Sequence, residues 1–251
     1  TFEIYNRAGD LVNTVVTDKN GVAKSDTLPL GRYTIRETKA PMFYSATAQP
    51  IEAEIEFSGQ IVRIEVLNQS VYTNVSVSKR GYKQVTPSQT IRYDFKNIAN
   101  NSTVPLNSFY WRDTLPTSAV RLTKIITGTW NQKLSYKVVY KTNLHDYRTL
   151  ADNLSTMKNY SLDASPAALG LASNEYMTDF MFVFGTVKAG FAQVDAPYIL
   201  CWTNSWLNNG YQFANRTDVG GLHGGQWIMA TDRWVTTVYK PGVTKLPKTG
   251  Y

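Results

Sequence analysis

At 251 residues, with 43% hydrophobic and 18% charged side chains, the chain can bury one large core or two modest ones. A single cysteine, Cys201, excludes an internal disulfide, and two histidines far apart in sequence give no Cys/His set with metal-ligand spacing. The net charge of +7 is spread along the chain with no basic helix or nucleic-acid motif, so it describes a solvated surface, and no nucleic-acid partner is expected. No apolar run is long enough to span a membrane. Neither a cofactor nor a metal is expected, and no Ser/His/Asp set marks a hydrolase, so turnover chemistry is not expected.

Thr, Val, Tyr and Ile recur in short runs between Gly, Asn, Asp and Pro, which predicts an all-β chain. Residues 1–69 alternate cleanly and form a first small β-sandwich. FEIYN opens it. Asn20-Gly21 is a hairpin signal. GRYTIRETKAP is a strand ended by Pro41. In IEAEIEF the apolar positions Ile51, Ala53, Ile55 and Phe57 share one face and the glutamates the other. QIVRIEVLNQ is the expected last strand.

Residues 70–240 form a larger β-sandwich with at least eight candidate strands. They lie in VYTNVSVSKRGY, QTIRYDFKNI, NSFYWRDTLP, VRLTKIITGTW, KLSYKVVYKTN, YMTDFMFVFGTV, GYQFANRTDV and DRWVTTVYK. TLADNLSTMKN and SPAALGLASNE are expected as one or two short helices in insertions. The glycine-rich DVGGLHGGQW lacks the Lys-Ser/Thr ending of a phosphate loop and reads as a turn or bulge. Cys201 reads as a buried apolar residue. Residues 241–251 are a linker-like tail.

Side chains two apart on a strand share a face. Five apolar rows are each extended by one polar residue: Tyr33-Ile35-Glu37, Val62-Ile64-Val66-Asn68, Val75-Val77-Lys79, Phe109-Trp111-Asp113 and Tyr211-Phe213-Asn215. At a strand end such a residue can simply meet water. A lysine, a carboxylic acid and an asparagine on buried faces have a sharper use. Burial lowers a lysine pKa and raises that of a carboxyl group. A neutral amine can then attack an asparagine amide polarised by a protonated acid, with ammonia as the leaving group and proximity supplying most of the rate. The product is an intramolecular Lys–Asn isopeptide bond, made once per molecule.

YTIRETKAP followed by Tyr44 resembles the Y-x-x-x-E-x-x-A-P motif of the CnaB (SpaA-like) domains of Gram-positive surface proteins and pilins, and FEIYNRAGDLV and IEVLNQ are similar to that family's flanking strands. The resemblance covers residues 1–69 and implies Glu37 as catalytic acid and Asn68 as amide acceptor. The glycine usual before the last tyrosine is absent. The family's donor lysine lies on a strand upstream of FEIYN, so the domain lacks its first strand and donor. Lys19, Lys24 and Lys39 lie in or beside turns, and no internal bond is expected in this unit. VSVSKRGYKQVTPSQTIRYDFKNIANNS, WRDTLP and GYQFANRTDV resemble the opening strand, D-x-L-P turn and late strand of CnaA-like adhesin stalk domains. By that analogy Lys79 is bonded to Asn215, with Asp113 as the acid.

Leu246, Pro247, Lys248, Thr249 and Gly250 spell LPKTG, which resembles the L-P-x-T-G sorting signal of sortase substrates. Pro247 presets a kink, and the small Thr249-Gly250 junction exposes the Thr249 carbonyl. The resemblance implies a sortase transpeptidase as partner, covalent linkage to peptidoglycan or a pilin subunit, and an extracellular, cell-wall-anchored location. It also implies an apolar span and a basic tail beyond Tyr251. Together these point to a structural stalk or adhesin module. The alternative is a binding domain for a glycan or host protein, with the six tryptophans lining its site, and no internal crosslink.

Overall fold

The computed structural model describes residues 1–41, 43–47 and 49–241, and every regular element among them is a strand. The chain divides into Thr1–Tyr72 and Thr73–Tyr251.

The first unit contains β1 Phe2–Asn6, β2 Leu11–Val15, β3 Gly31–Glu37, β4 Tyr44–Ser45, β5 Ile51–Ile55 and β6 Gln69–Ser70. A four-stranded antiparallel sheet runs in the order β2-β1-β3-β5, and β4 pairs with β6. The core is thin: Ile4 and Tyr33 are its buried apolar residues, and the Tyr33 hydroxyl donates to the Pro29 carbonyl at 2.6 Å. Two expectations fail here. Asn20-Gly21 makes a turn, with the Asp18 carboxylate accepting the Asn20 and Val22 amides, but it joins no pair of strands. Of QIVRIEVLNQ only Gln69 enters a ladder, as the first residue of β6, and Val62 and Ile64 of the expected inward row are 40% and 38% exposed. An extended segment without a neighbouring strand has nowhere to place its ladder hydrogen bonds, however well its sequence alternates.

The second unit contains β7 Val75–Arg80, β8 Gln84–Val85, β9 Thr90–Asn100, β10 Leu106–Thr114, β11 Val120–Ile126, β12 Ser135–Thr142, β13 Arg148–Ser155, β14 Ser161–Asp163, β15 Met177–Val187, β16 Tyr198–Thr203, β17 Gln212–His223 and β18 Gln226–Val238. They form a seven-stranded sheet, β13-β12-β15-β10-β17-β18-β8, and a five-stranded sheet, β14-β11-β16-β9-β7. All pairings are antiparallel except β18 with β8. One core lies between the sheets, drawn from alternate residues of both. It is threaded by aromatic rings. Phe95 meets Trp111 at 4.6 Å, Trp111 meets Phe182 at 4.6 Å, Phe184 meets Trp130 at 4.7 Å, and Trp130 stacks on Phe191 at 5.3 Å.

Neither expected helix forms. In TLADNLSTMKN, Leu150 and Leu154 are four apart, a spacing shared by a helix and by one face of a strand. The segment pairs with β12 as β13, with register shifts and a left-handed Asn153 at φ 53°. SPAALGLASNE makes only turns: Leu169 bonds back to Ser165, and Gly170, at φ 60°, ends the coil after one turn. The glycine-rich stretch is the tip of the β17–β18 hairpin, where Gly224 and Gly225 carry φ of 55° and 82°, as a two-residue hairpin turn requires. Strands β8, β14 and β16 lie outside the segments that the sequence predicts as strands.

At one end of the seven-stranded sheet the buried Glu175 carboxylate ties two loops together. It accepts from Thr142 Oγ1 at 2.8 Å, His145 Nδ1 at 3.0 Å and Arg148 Nη2 at 2.5 Å. These donors, the Thr142 hydroxyl foremost, pull its pKa down to about 2. A depressed carboxylate contributes stability above its unfolded value and loses it as pH falls through the folded value. Acid denaturation of the wild type should therefore steepen between about pH 4.5, the ordinary glutamate value, and about pH 2. Glu175→Gln should be less stable at neutral pH and flatter across that window, as read by denaturant midpoints at each pH.

Gly81 follows β7. A Cβ there would lie 2.7 Å from the Tyr93 ring and 2.9 Å from that of Trp234. Gly81→Ala should cost about 1–3 kcal/mol by forcing those rings apart, measured by chemical denaturation.

Candidate functional site

Three polar residues from three strands meet in the second core. Lys79 ends the inward row Val75-Val77-Lys79 of β7, at the edge of the five-stranded sheet. Asp113 ends the row Phe109-Trp111-Asp113 of β10. Asn215 follows Phe213 on the inward row of β17. In the β10–β17 ladder Asp113 lies opposite Thr217, so Asn215, two residues away, is its diagonal neighbour on the same face. β7 packs across from β17, and Lys79 reaches from one sheet to the other. All three side chains are fully buried.

The Lys79 amine donates to Asp113 Oδ1. Its Nζ also lies 4.0 Å from the Phe95 ring centroid and 4.9 Å from that of Tyr93. Cys201, buried on β16, is close enough to feel both charges, and its thiol is pushed up, chiefly by burial. Trp111 closes another side, its indole N–H donating to Thr217 Oγ1 at 2.8 Å while the Thr217 hydroxyl donates to the Arg112 carbonyl.

Desolvation dominates the electrostatics. It holds Lys79 below the ordinary lysine range despite the attraction of Asp113. It holds Asp113 above the ordinary carboxylate range despite Lys79, and Asp218 pushes in the same direction. Both groups are displaced toward their neutral forms. The polar inventory is incomplete. Asp113 Oδ2 and both amide atoms of Asn215 are buried without a hydrogen-bond partner. The Asn215 amide is near enough to favour the ionised form of Asp113, yet it makes no hydrogen bond of normal geometry. An unpaired buried amide costs about 1–3 kcal/mol. Trp130 Nε1 and Tyr136 Oη of the same core are unpaired too, and what sets this pocket apart is that its unpaired amide lies beside a buried acid and amine.

The pair in the first unit is also in contact. Asn68 Nδ2 donates to Glu37 Oε1 at 2.9 Å, and the Thr47 amide donates to Glu37 Oε2 at 2.8 Å. Both side chains are only partly buried, and among the described residues no lysine joins their hydrogen bonds. Leu246, Pro247, Lys248, Thr249 and Gly250 lie outside the described residues. Among the described residues no group of three or more His, Cys, Asp or Glu is placed to hold a metal, and no helix is long and apolar enough to cross a membrane. Of the six tryptophans, Trp111 and Trp130 are core, whereas Trp202, Trp206 and Trp227 are exposed; Trp202 and Trp227 belong to different sheets.

The pocket walls, Tyr93, Phe95, Cys201 and Thr217, were not singled out as site residues from sequence. The row Ile91-Tyr93-Phe95 is visible as alternation, but nothing in it says that an amine lies against two of its rings.

Residues 1–70 match the SpaA family, a prealbumin-like fold domain. Comparison with curated proteins gives no match. Among solved structures the chain is similar to BcpA, the major pilin subunit of Bacillus cereus, at 16% identity, covering 94% of this chain and 63% of that one with a TM-score of 0.33. It is similar to the full-length major pilin SpaD of Corynebacterium diphtheriae at 17% identity, over 94% and 60%, with a TM-score of 0.30. It is similar to a putative membrane anchored protein of Corynebacterium diphtheriae at 13% identity, over 98% and 53%, with a TM-score of 0.38. The chain thus spans less than two thirds of the length of each.

Thr217→Val keeps the shape of the side chain but leaves the Trp111 indole N–H without its acceptor. It should destabilise the second unit by about 1–3 kcal/mol, read by denaturant unfolding with tryptophan fluorescence.

Proposed function

We propose that the chain is a structural stalk module of a Gram-positive surface protein, stabilised by a self-made Lys79–Asn215 isopeptide bond and anchored through LPKTG by a sortase. The observation that carries this reading is the fully buried contact of Lys79 with Asp113 beside an asparagine amide that has no hydrogen-bond partner. The match of residues 1–70 to the SpaA family supports a surface location, and the sorting signal supports attachment to peptidoglycan or a pilin subunit.

In the reaction, the neutral Lys79 amine attacks Cγ of Asn215. Protonated Asp113 polarises the amide, takes a proton from the attacking nitrogen and returns one to Nδ2 as it leaves. The Cγ–Nδ2 bond breaks, the Nζ–Cγ bond forms, and one ammonia is released. The aromatic walls exclude water, which keeps both reactants neutral and the amide safe from hydrolysis. The event happens once, so the protein is its own substrate and not a turnover enzyme.

The bond joins the first strand of the larger unit to its penultimate strand. Closing so long a loop is worth roughly 5 kcal/mol in the chain-entropy model. The chain has no disulfide to do the same work.

Intact mass tests the reading. The wild-type chain should be lighter than its sequence by one ammonia, and Lys79→Ala and Asp113→Ala should each restore the full mass. Both variants should also unfold at lower denaturant concentration. A wild type at full mass, or a loss that survives Lys79→Ala, overturns the assignment. Full mass in the wild type would instead favour the binding-domain reading, for a glycan or host protein.

A further inference from the structure

The reacting groups come from two different sheets, so something must fix the height of β7 against β17. The seam that does so runs along β18. The Asp232 carboxylate reaches from β18 to the edge of the five-stranded sheet and accepts the backbone N–H of Lys79 through Oδ2 at 2.7 Å. Its other oxygen, Oδ1, accepts the Arg233 amide at 2.8 Å, which fixes the side-chain rotamer. Asp232 lies opposite Thr217 in the β17–β18 ladder, and Trp234 lies opposite Asn215. The residue that grips the donor lysine is therefore registered against the strand that carries the acceptor.

The seam continues past the lysine by other means. Trp234 Nε1 and Thr236 Oγ1 both donate to the Tyr82 carbonyl, at 3.0 and 2.9 Å, and Gly81 admits the rings of Tyr93 and Trp234. Asp232 alone among these seam contacts bonds the backbone of Lys79 itself.

We propose that Asp232 is a positioning residue for the crosslinking reaction: its carboxylate holds the Lys79 backbone at the level from which Nζ meets Asn215. This rests on the Lys79–Asn215 reading above. Asp232 touches neither reacting atom. Its action is on the edge amide of a strand whose side chain must be delivered across the sheet gap. With the anchor lost, Lys79 is left to the β9 ladder and the Tyr82 contacts, which do not fix its level against β17 directly, and a misplacement of about 1 Å can cost on the order of 100-fold in rate.

The test follows ammonia loss by intact mass after cell-free synthesis of the full chain, for the wild type, Asp232→Ala, Asp232→Asn and Thr236→Val. Asp232→Asn keeps an oxygen that can accept the Lys79 amide. Thr236→Val weakens the same seam away from the lysine. Bond formation should slow on the order of 100-fold in Asp232→Ala and stay near the wild-type rate in the other two. Equal rates in Asp232→Ala and wild type overturn the proposal. So does an Asp232→Asn variant as slow as the alanine, which would assign the effect to charge, and so does a Thr236→Val variant equally slow, which would reduce it to general seam stability. If Asp232→Ala fails to fold, Asp232→Thr, which keeps a strand-compatible side chain but places no carboxylate at the Lys79 amide, takes its place under the same criteria. No ammonia loss in the wild type overturns the underlying reading along with this one, and that result is visible in the wild-type sample alone.

Discussion

The complete burial of one amine constrains the architecture of the larger unit. A lysine nitrogen with no exposure must be met by whatever the fold brings to it, and here that is one carboxyl group and two aromatic faces. Leaving such a group unmatched would cost several kcal/mol, comparable with the whole stability of a domain. Each sheet contributes to the match. The five-stranded sheet supplies the amine and the rings of Tyr93 and Phe95. The seven-stranded sheet supplies Asp113, Asn215 and the bulk of Trp111. The two layers cannot shift relative to one another without exposing the amine or separating it from its acid.

The architecture was largely legible because alternation reports directly on a two-faced sheet. The strands carrying Lys79, Asp113 and Asn215 each read as an apolar row with a polar end, and each side chain is buried. Legibility failed where the pattern had two meanings. Leu150 and Leu154 satisfy a helix and a bulged strand equally, and only the partner strand β12 decides between them. Ile61 to Leu67 shows the reverse case: good alternation without a partner gives no strand. Asp232 could not be singled out from sequence at all. It occupies an ordinary position on a strand, and its meaning comes from the edge of another sheet.

The two units treat similar residue types differently. Glu37 and Asn68 are hydrogen-bonded to each other and to Thr47, partly open to solvent, with no lysine among their partners in the described residues. That arrangement is satisfied as it stands. Asp113 and Asn215 are enclosed and only partly satisfied. Enclosure is thus the difference between a polar pair that merely ties strands together and one whose unmet hydrogen bonds leave room for chemistry.

Cys201 shares the enclosure. Its thiol is fully buried and held away from the thiolate form, so it is a poor nucleophile while the sheets stay together. It becomes reactive only when the layer holding Lys79 parts from the layer holding Asp113. The lone thiol is therefore a natural clock for breathing of this core: its alkylation rate by a small thiol reagent counts the openings of the pocket, without any label being introduced.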